Sequence, residues 1–274
     1  MQVGIFAKTF AVVGADPPLM AARDAGYECV QFNMACLGLP SMPNEIATET
    51  AQSIVQASKT VGVSIAAISG TYNMIHPDQT VRDTGMQRLS VMIKAARAMG
   101  TNLVTLCTGS RDAQDQWRYH PDNESTEAWQ DLMTEMGKAA ALAEAHSVNL
   151  GIEPELANVV CNAKAARRLL DEIASPCIRI VLDPANLFEV VGDVERQGII
   201  ERAVDLLGDK IVMAHVKDRD AGGDFVAAGT GVIDFRHFVA ALKNAGFDGA
   251  LITHGLAEAE APSVAAFLNG IVRS

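Results

Sequence analysis

The sequence predicts a single (β/α)8 barrel, a TIM barrel, that spans residues 1–274. Short β-branched runs alternate with longer segments of helical period along the whole chain. Eight such pairs follow one another without a linker or a change in composition, which is the pattern of one closed parallel barrel. A length of 274 residues suits a barrel folded as one domain. The alternative is a doubly wound open sheet, but the glycine-rich phosphate turn expected after an early strand of such a sheet is absent.

The predicted strands are short and mostly apolar, and a segment long enough for a helix follows each one. They cover residues 3–10, 28–34, 64–73, 102–109, 149–156, 178–188, 210–218 and 250–256. Gly26, Gly62 and Gly100 mark the ends of the first three helices, and Ser125 is the predicted N-cap of the fourth. Apolar residues spaced by three and four predict the buried faces of the third and fourth helices: Met86, Leu89, Ile93, Ala96, and then Trp129, Leu132, Met133, Met136, Ala140.

The composition argues against several classes of partner. A net charge of −11, with no run of basic residues to offset it, disfavours binding to a nucleic acid backbone. No apolar stretch approaches the roughly 20 residues that span a bilayer, and the first residues lack the features of a signal peptide. Five scattered cysteines without CxxC spacing indicate buried thiols in a reducing compartment. We therefore expect a cytoplasmic protein that acts on a small molecule.

Polar and ionisable residues gather where the predicted strands end. In a barrel these ends share one rim, on which the loops that follow the strands build active sites. The residues concerned are Lys8, Thr9, Gln31, Asn33, Asn73, His76, Thr108, Arg111, Glu153, Glu155, Asp183, Asn186, His215, Lys217, Asp218 and His254. Their coincidence on one face predicts a functional site there.

Four of these residues belong to the types that bind metals, and they lie on successive strands: Glu153, Asp183, His215 and His254. Two carboxylates and two imidazoles suit a divalent ion such as Mn2+, Co2+, Zn2+ or Fe2+, with positions left for water or substrate. The alternative for each residue alone is structural, for example a buried carboxylate paired with Lys217. Taken together, the four predict a metal site.

Two further features allow a functional or an ordinary interpretation. Backbone amides at 69–71 and 229–231 are able to bind an anion, although a tight turn is the ordinary interpretation of both segments. The long loop after the fourth strand carries Arg111, Trp117, His120 and Asn123, and its length favours a substrate-covering lid over irregular surface.

Four motifs carry a resemblance to a known family: GIEPE at 151–155, VLDPANLF at 181–188, HVKD at 215–218 and GALITHGL at 249–256. With them the whole chain resembles the xylose isomerase-like TIM-barrel superfamily. Its sugar phosphate isomerase/epimerase group includes ketose 3-epimerases, inosose dehydratases and metal-dependent AP endonucleases. The resemblance implies metal-ligand roles for Glu153, Asp183 and His215.

The sequence departs from the family pattern at two positions. The fourth ligand is normally a glutamate on the eighth strand, whereas His254 stands there in this chain. Asn186 occupies a position where relatives often carry a second histidine. The histidine-rich set that the DNA-repair branch needs is missing. Relatives are often dimers or tetramers, so a homo-oligomer stays open, although no interface signature is evident.

The expected activity is metal-assisted proton transfer next to a carbonyl in a sugar, sugar phosphate or related polyol. Glu153 and His254 would be the acid/base pair. The expected substrate-binding residues are Lys217, Arg111, Asn73, His76, Asn186 and Glu155, with Lys217 or Arg111 holding a phosphate or carboxylate. Two alternatives remain: an inosose-type dehydratase that uses the same site, and a sugar-binding barrel without turnover.

Overall fold

Parallel strands close into a barrel in the computed structural model of the protein, which describes residues 1–274. The strands in chain order are β1 (Gln2–Phe6), β2 (Cys29–Phe32), β3 (Ser64–Ser69), β4 (Leu103–Cys107), β5 (Asn149–Glu153), β6 (Ile178–Leu182), β7 (Ile211–Val216), β8 (Asp218–Arg219), β9 (Phe225–Val226) and β10 (Ala250–Thr253). All except β8 and β9 form the barrel, in the order β1-β10-β7-β6-β5-β4-β3-β2. The predicted (β/α)8 fold is confirmed.

Eight helices pack around the barrel, one after each barrel strand. They are α1 (Asp16–Asp24), α2 (Thr48–Val61), α3 (Gln79–Ala96), α4 (Thr126–His146), α5 (Ala163–Ile173), α6 (Asp193–Leu207), α7 (Phe235–Asn244) and α8 (Ala261–Val272). The side chain of Ser125 accepts a hydrogen bond from the backbone N–H of Ala128 at 3.0 Å, so the predicted N-cap of α4 is confirmed. None of the helices is long and apolar enough to cross a membrane.

The inside of the barrel is filled by small and medium-sized side chains from six strands. They form a separate buried cluster of Cys29, Ala67, Leu103, Val181, Met213 and Ile252. A second cluster of 69 buried residues joins the strands to the helices. Packed side chains therefore close the barrel interior, and the polar rim above it is the place where a ligand has access.

Several strands end earlier than the sequence predicted. The first stops at Phe6, before a short 3-10 turn over Ala7–Thr9, and the sixth stops at Leu182. After Leu182 the carboxylate of Asp183 accepts from the backbone N–H of Ala185 at 3.0 Å, which begins another 3-10 turn. This local bond between a side chain and the backbone ends the strand ladder at Asp183.

The connection between β7 and β10 also differs from a simple helix-length segment. It contains the antiparallel pair β8–β9, in which Asp218 pairs with Val226 and Arg219 with Phe225, ahead of α7. The pair places the Phe225 ring 4.5 Å from Lys217 Nζ and 4.0 Å from the guanidinium carbon of Arg219. An aromatic side chain thus covers one side of the rim beside Lys217.

Candidate metal centre

Four neighbouring barrel strands carry the four predicted ligands to one point on the rim. Glu153 is the last residue of β5, His215 lies in β7, and Asp183 and His254 directly follow β6 and β10. These strands are adjacent in the order β10-β7-β6-β5. One donor atom from each residue lies within 4.8 Å of the donor atoms of the other three. The structure therefore brings the whole predicted set together.

The donor atoms at the centre lie close together, but they do not satisfy one another's hydrogen-bonding capacity. His215 Nδ1 lies 2.9 Å from Glu153 Oε1, and His254 Nε2 lies 3.4 Å from Asp183 Oδ2. Nevertheless His215 Nδ1, His254 Nε2 and Asp183 Oδ2 are buried and have no aligned hydrogen-bond partner. A buried polar atom left in this state costs about 1–3 kcal/mol. Two imidazole nitrogens and two carboxylates that point at one space fit a divalent cation between them.

Lys217 supplies the positive charge at this point of the protein. Its Nζ lies 3.5 Å from Asp183 Oδ2 and 3.7 Å from Glu155 Oε1. Burial alone raises the pKa of Asp183, but Lys217 and His254 outweigh it and lower that pKa to about 2. Burial lowers the pKa of Lys217, and the surrounding carboxylates reverse this and raise it above its usual value. Lys217 is therefore a charged partner of the Asp183 carboxylate and a close neighbour of the Glu155 carboxyl group.

Asn186 holds Glu153 in place. Its Nδ2 donates to Glu153 Oε1 at 2.8 Å, and the Asn186 side chain is fully buried. Burial raises the pKa of Glu153, but His215 and Lys217 outweigh that effect, and the pKa lies below its usual value. Glu153 is thus ionised at neutral pH. Asn186, predicted to bind substrate, contacts this carboxylate and does not line the cavity.

Glu155 faces the same cavity as Glu153 but in a different electrostatic state. Burial, and then the neighbouring carboxylate of Glu153, raise the pKa of Glu155 to about 8. Two carboxyl groups two residues apart on one rim therefore differ in protonation at neutral pH. Glu155 remains a candidate for substrate binding, since its side chain is accessible from the cavity.

A cavity of about 300 Å³ opens above the metal centre. Hydroxyl and amide side chains make up much of its wall, together with two aromatic rings. Four ionisable residues described above belong to the wall: Glu153, Glu155, His215 and His254. The other lining residues are Phe6, Lys8, Gln31, Asn33, Ser41, Met42, Ser69, Thr71, Thr105, Cys107, Gln116 and Trp117. The wall suits a small polyhydroxylated ligand.

Several of these lining residues are not among the candidates that the sequence predicts. Phe6 and Thr105 belong to β1 and β4, whose other residues are mostly apolar. Gln31 is one of the polar strand ends, but the sequence predicts no role for it. Its oxygen lies 2.7 Å from His215 Nε2. A buried polar residue in an otherwise apolar strand was the available signal.

Five of the six predicted substrate-binding residues lie outside the cavity wall: Asn186 and Lys217, described above, and Arg111, Asn73 and His76. Arg111 Nη2 pairs with Asp131 Oδ2 at 2.7 Å, Asn73 Nδ2 donates to the carbonyl of Ser110 at 2.7 Å, and His76 Nε2 lies 3.0 Å from the carbonyl oxygen of Ala113. These contacts hold the loop after β4. Arg111, Asn73 and His76 are therefore not brought to the metal centre, although Trp117 of that loop reaches the cavity.

The glycine-containing turn at 229–231 binds an anion that the protein itself supplies. Asp218 Oδ2 accepts from the backbone N–H groups of Gly229 and Gly231 at 3.0 and 2.9 Å, and its Oδ1 accepts from Ile233 at 3.0 Å. These amides are engaged within the fold, as the tight-turn interpretation expects. Asp218, listed with the polar strand ends, serves to fasten the loop before α7.

Comparison with known proteins places the chain in a family. The family model described as xylose isomerase-like TIM barrel matches residues 19–269. No curated protein sequence matches the chain.

Similar solved structures include three sugar epimerases or epimerase-like proteins. The 3-keto-D-glucoside 4-epimerase YcjR from E. coli has a TM-score of 0.75 at 14% identity, with 100% of both chains covered. An L-ribulose 3-epimerase has a TM-score of 0.77 at 19% identity, covering 99% of this chain and 94% of its own. A D-tagatose 3-epimerase-like protein has 0.78 at 13%, covering 100% and 97%. At these identities the similarity shows the fold, and together with the family model it establishes that this chain belongs to the xylose isomerase-like TIM-barrel family.

Proposed function

We propose that this protein is a metal-dependent sugar isomerase or epimerase that transfers a proton at a carbon next to a carbonyl. One observation carries the proposal: buried, unpaired donor atoms of Asp183, His215 and His254 converge with Glu153 on the rim of the barrel. The cavity above them is lined by hydroxyl and amide groups. The similar structures are named as sugar epimerases or as an epimerase-like protein, and these names support a sugar as the substrate.

The metal would be held by Glu153, Asp183, His215 and His254, whose mixed nitrogen and oxygen donors suit Mn2+, Co2+, Zn2+ or Fe2+. When bound, the ion supplies Lewis-acid polarisation of a carbonyl oxygen of the substrate. Lys217 offsets part of the negative charge of the two carboxylates, since it pairs with Asp183. The ligand set and its counter-charge are therefore both provided by this chain.

The chain's own acid/base groups face the cavity. Glu153 has one oxygen held by Asn186, while Oε2 has only the weak contact with Cys107 Sγ at 3.8 Å. As an ionised carboxylate it is suited to remove the proton. His254 lines the same cavity with 22% of its side chain exposed, and it is the candidate for relaying a proton through Nδ1, the ring nitrogen that does not face Asp183. Trp117 and Phe6 offer apolar surfaces that exclude water from one side of a sugar.

The test combines metal analysis with a substrate panel. The protein would be loaded with Mn2+, Co2+, Zn2+ or Fe2+ in turn and incubated with ketoses and keto-glycosides, and the products would be identified by mass and NMR. Isomerisation conserves mass, whereas a dehydratase releases water. We expect conversion without a change in mass, lost in Glu153→Gln, His215→Ala and His254→Ala.

The control for these variants is His237→Ala, a histidine on α7 whose ring contacts Glu201 of α6 and does not line the cavity. Its metal content and turnover should equal those of the wild-type protein. Elemental analysis that finds full metal content in both Glu153→Gln and His215→Ala would refute the site assignment.

A further inference from the structure

The imidazole of His215 has a second contact on the side away from the metal centre. Its Nε2 lies 2.7 Å from Oε1 of Gln31, a residue of β2 on the opposite side of the barrel. Both side chains are buried, with relative exposures of 4% for His215 and 6% for Gln31. This contact leaves Nδ1 as the ring nitrogen that faces Glu153.

The amide of Gln31 has hydrogen-bond partners at both of its ends. Its Nε2 donates to Ser69 Oγ of β3 at 3.0 Å and to Thr105 Oγ1 of β4 at 3.1 Å, and its oxygen faces His215. A histidine that binds a metal through Nδ1 keeps a proton on Nε2. Because an amide oxygen accepts such a proton, Gln31 is placed to support this mode of metal binding.

We propose that Gln31 is a positioning residue that accepts a hydrogen bond from Nε2 of His215 and thereby presents Nδ1 as the metal-binding atom. Partners of this kind orient ligating histidines and make them better donors. The inference rests on the metal site of the proposed function, but metal affinity is measurable without a substrate. Ser69 and Thr105 take part by fixing the amide.

Gln31 also lines the cavity, so contact with a bound sugar is the competing role. The geometry favours positioning, because both N–H groups and the oxygen of Gln31 already have partners within the protein. A substrate-contacting role would affect the Michaelis constant and would leave the metal affinity unchanged. The two roles are therefore separable.

The first measurement is long-range 15N–1H NMR of Zn2+-loaded protein labelled with 15N-histidine, with the signals of His215 assigned from His215→Ala. We expect a metal-bound Nδ1 and a proton on Nε2 of His215 in the wild-type protein. Zinc bound through Nε2 would overturn the inference, whatever the variants do. The variant Gln31→Met keeps the size of the side chain but removes the strong acceptor, and in it we expect the His215 signals to shift only at a higher Zn2+ concentration.

The second measurement is the affinity for Mn2+ by calorimetry. Gln31→Met should bind roughly 10–100-fold more weakly than the wild-type protein. Gln31→Glu should keep most of the affinity, because a carboxylate oxygen accepts from Nε2 while the hydroxyls of Ser69 and Thr105 turn to donate. The matched control is Gln116→Met, at a cavity residue that contacts none of the four ligands, and it should bind Mn2+ as the wild-type protein does.

The outcomes keep this inference apart from the proposed function. Unchanged Mn2+ affinity in Gln31→Met would overturn the role of Gln31 even if the protein epimerises sugars. A weakened affinity in Gln31→Met, with the wild-type affinity kept in Gln116→Met, would support it even if every sugar in the panel were left unchanged, in which case the proposed function alone would fail. Should Gln31→Met not fold, the ring nitrogen that binds Zn2+ in the wild-type protein and the Mn2+ affinity of Gln31→Glu decide the question.

Discussion

His254 is the residue at which this site departs from the family pattern, and its surroundings suit a histidine in place of the usual glutamate. Burial, and then the neighbouring His215 and Lys217, lower its pKa to about 4. The ring is thus neutral at neutral pH, which is the state that binds metal. Its Nε2 points at Asp183 Oδ2, and the Phe6 ring packs edge-on at 6.4 Å. A neutral ligand in place of a carboxylate leaves the centre less negative by one charge.

Glu155 gives the metal-free protein a distinctive dependence of stability on pH. Its pKa is about 8 in the folded state against an ordinary 4.5, so between these values the folded protein holds a proton that the unfolded chain has released. Stability therefore falls as pH rises through this window. His254, with its pKa lowered from 6.5 to about 4, acts in the opposite direction between pH 4 and 6.5. The net loss should appear between about pH 6.5 and 8.

The prediction is that metal-free protein loses up to about 1.4 kcal/mol of unfolding free energy per pH unit in that range. Glu155→Gln should flatten the slope, because the amide does not titrate. Urea denaturation at pH 6.5, 7.2 and 8.0 measures it. An equally steep decline in the variant would show that another group is responsible.

At the scale of single elements, the loop between β4 and α4 depends on buried asparagines. Asn158, with 2% relative exposure, accepts from the backbone N–H of Gly109 at 2.8 Å and donates to the carbonyl of Gln116 at 3.1 Å. Asn123 accepts from the backbone N–H of Arg111 at 2.7 Å. These bonds give the segment that carries Trp117 a fixed path across the rim.

Asn158→Ala should therefore destabilise the protein by about 1–3 kcal/mol, because two buried backbone groups lose their partners. Hydrogen exchange should become faster in residues 109–118 and stay unchanged in α7. Asn102→Ala, at an exposed side chain, is the control and should leave both measurements unchanged. Equal exchange in the two variants would mean that the loop does not depend on Asn158.

The sequence predicts some features of this protein better than others. The alternation of strands and helices predicts the eight barrel strands, and the polar strand ends predict that Glu153, Asp183, His215 and His254 lie together, because both are local signals. The β8–β9 pair is not predictable in this way, because two-residue strands have no periodicity. The contacts of Arg111 and Asn73 are not predictable either, since a position near the rim does not reveal whether a side chain turns toward the cavity or toward the next loop.

On the scale of the whole molecule, the site depends on how tightly the barrel closes beneath it. β1 pairs with both β10 and β2, and Gly4 lies in both of these pairings. A Cβ atom at Gly4 would lie 2.5 Å from Cys29 Sγ and from Ile252 Cδ1, and 2.7 Å from the carbonyl oxygen of Cys29. The side chain of position 4 would thus enter the packed cluster inside the barrel. Only a residue without a Cβ allows the strands to approach this closely.

Gly4→Ala should lower the unfolding free energy by about 1–3 kcal/mol, because the backbone of β2 has to move to admit a methyl group. The matched substitution is Gly137→Ala in α4, where nothing lies within 4 Å of an added Cβ. There the same change should raise stability by about 0.5–1 kcal/mol, since alanine is the better helix former. Urea denaturation of both variants measures the pair. Equal effects at the two positions would show that the barrel interior accommodates an added methyl group. Close packing of the interior would then not be what positions the residues of the rim above it.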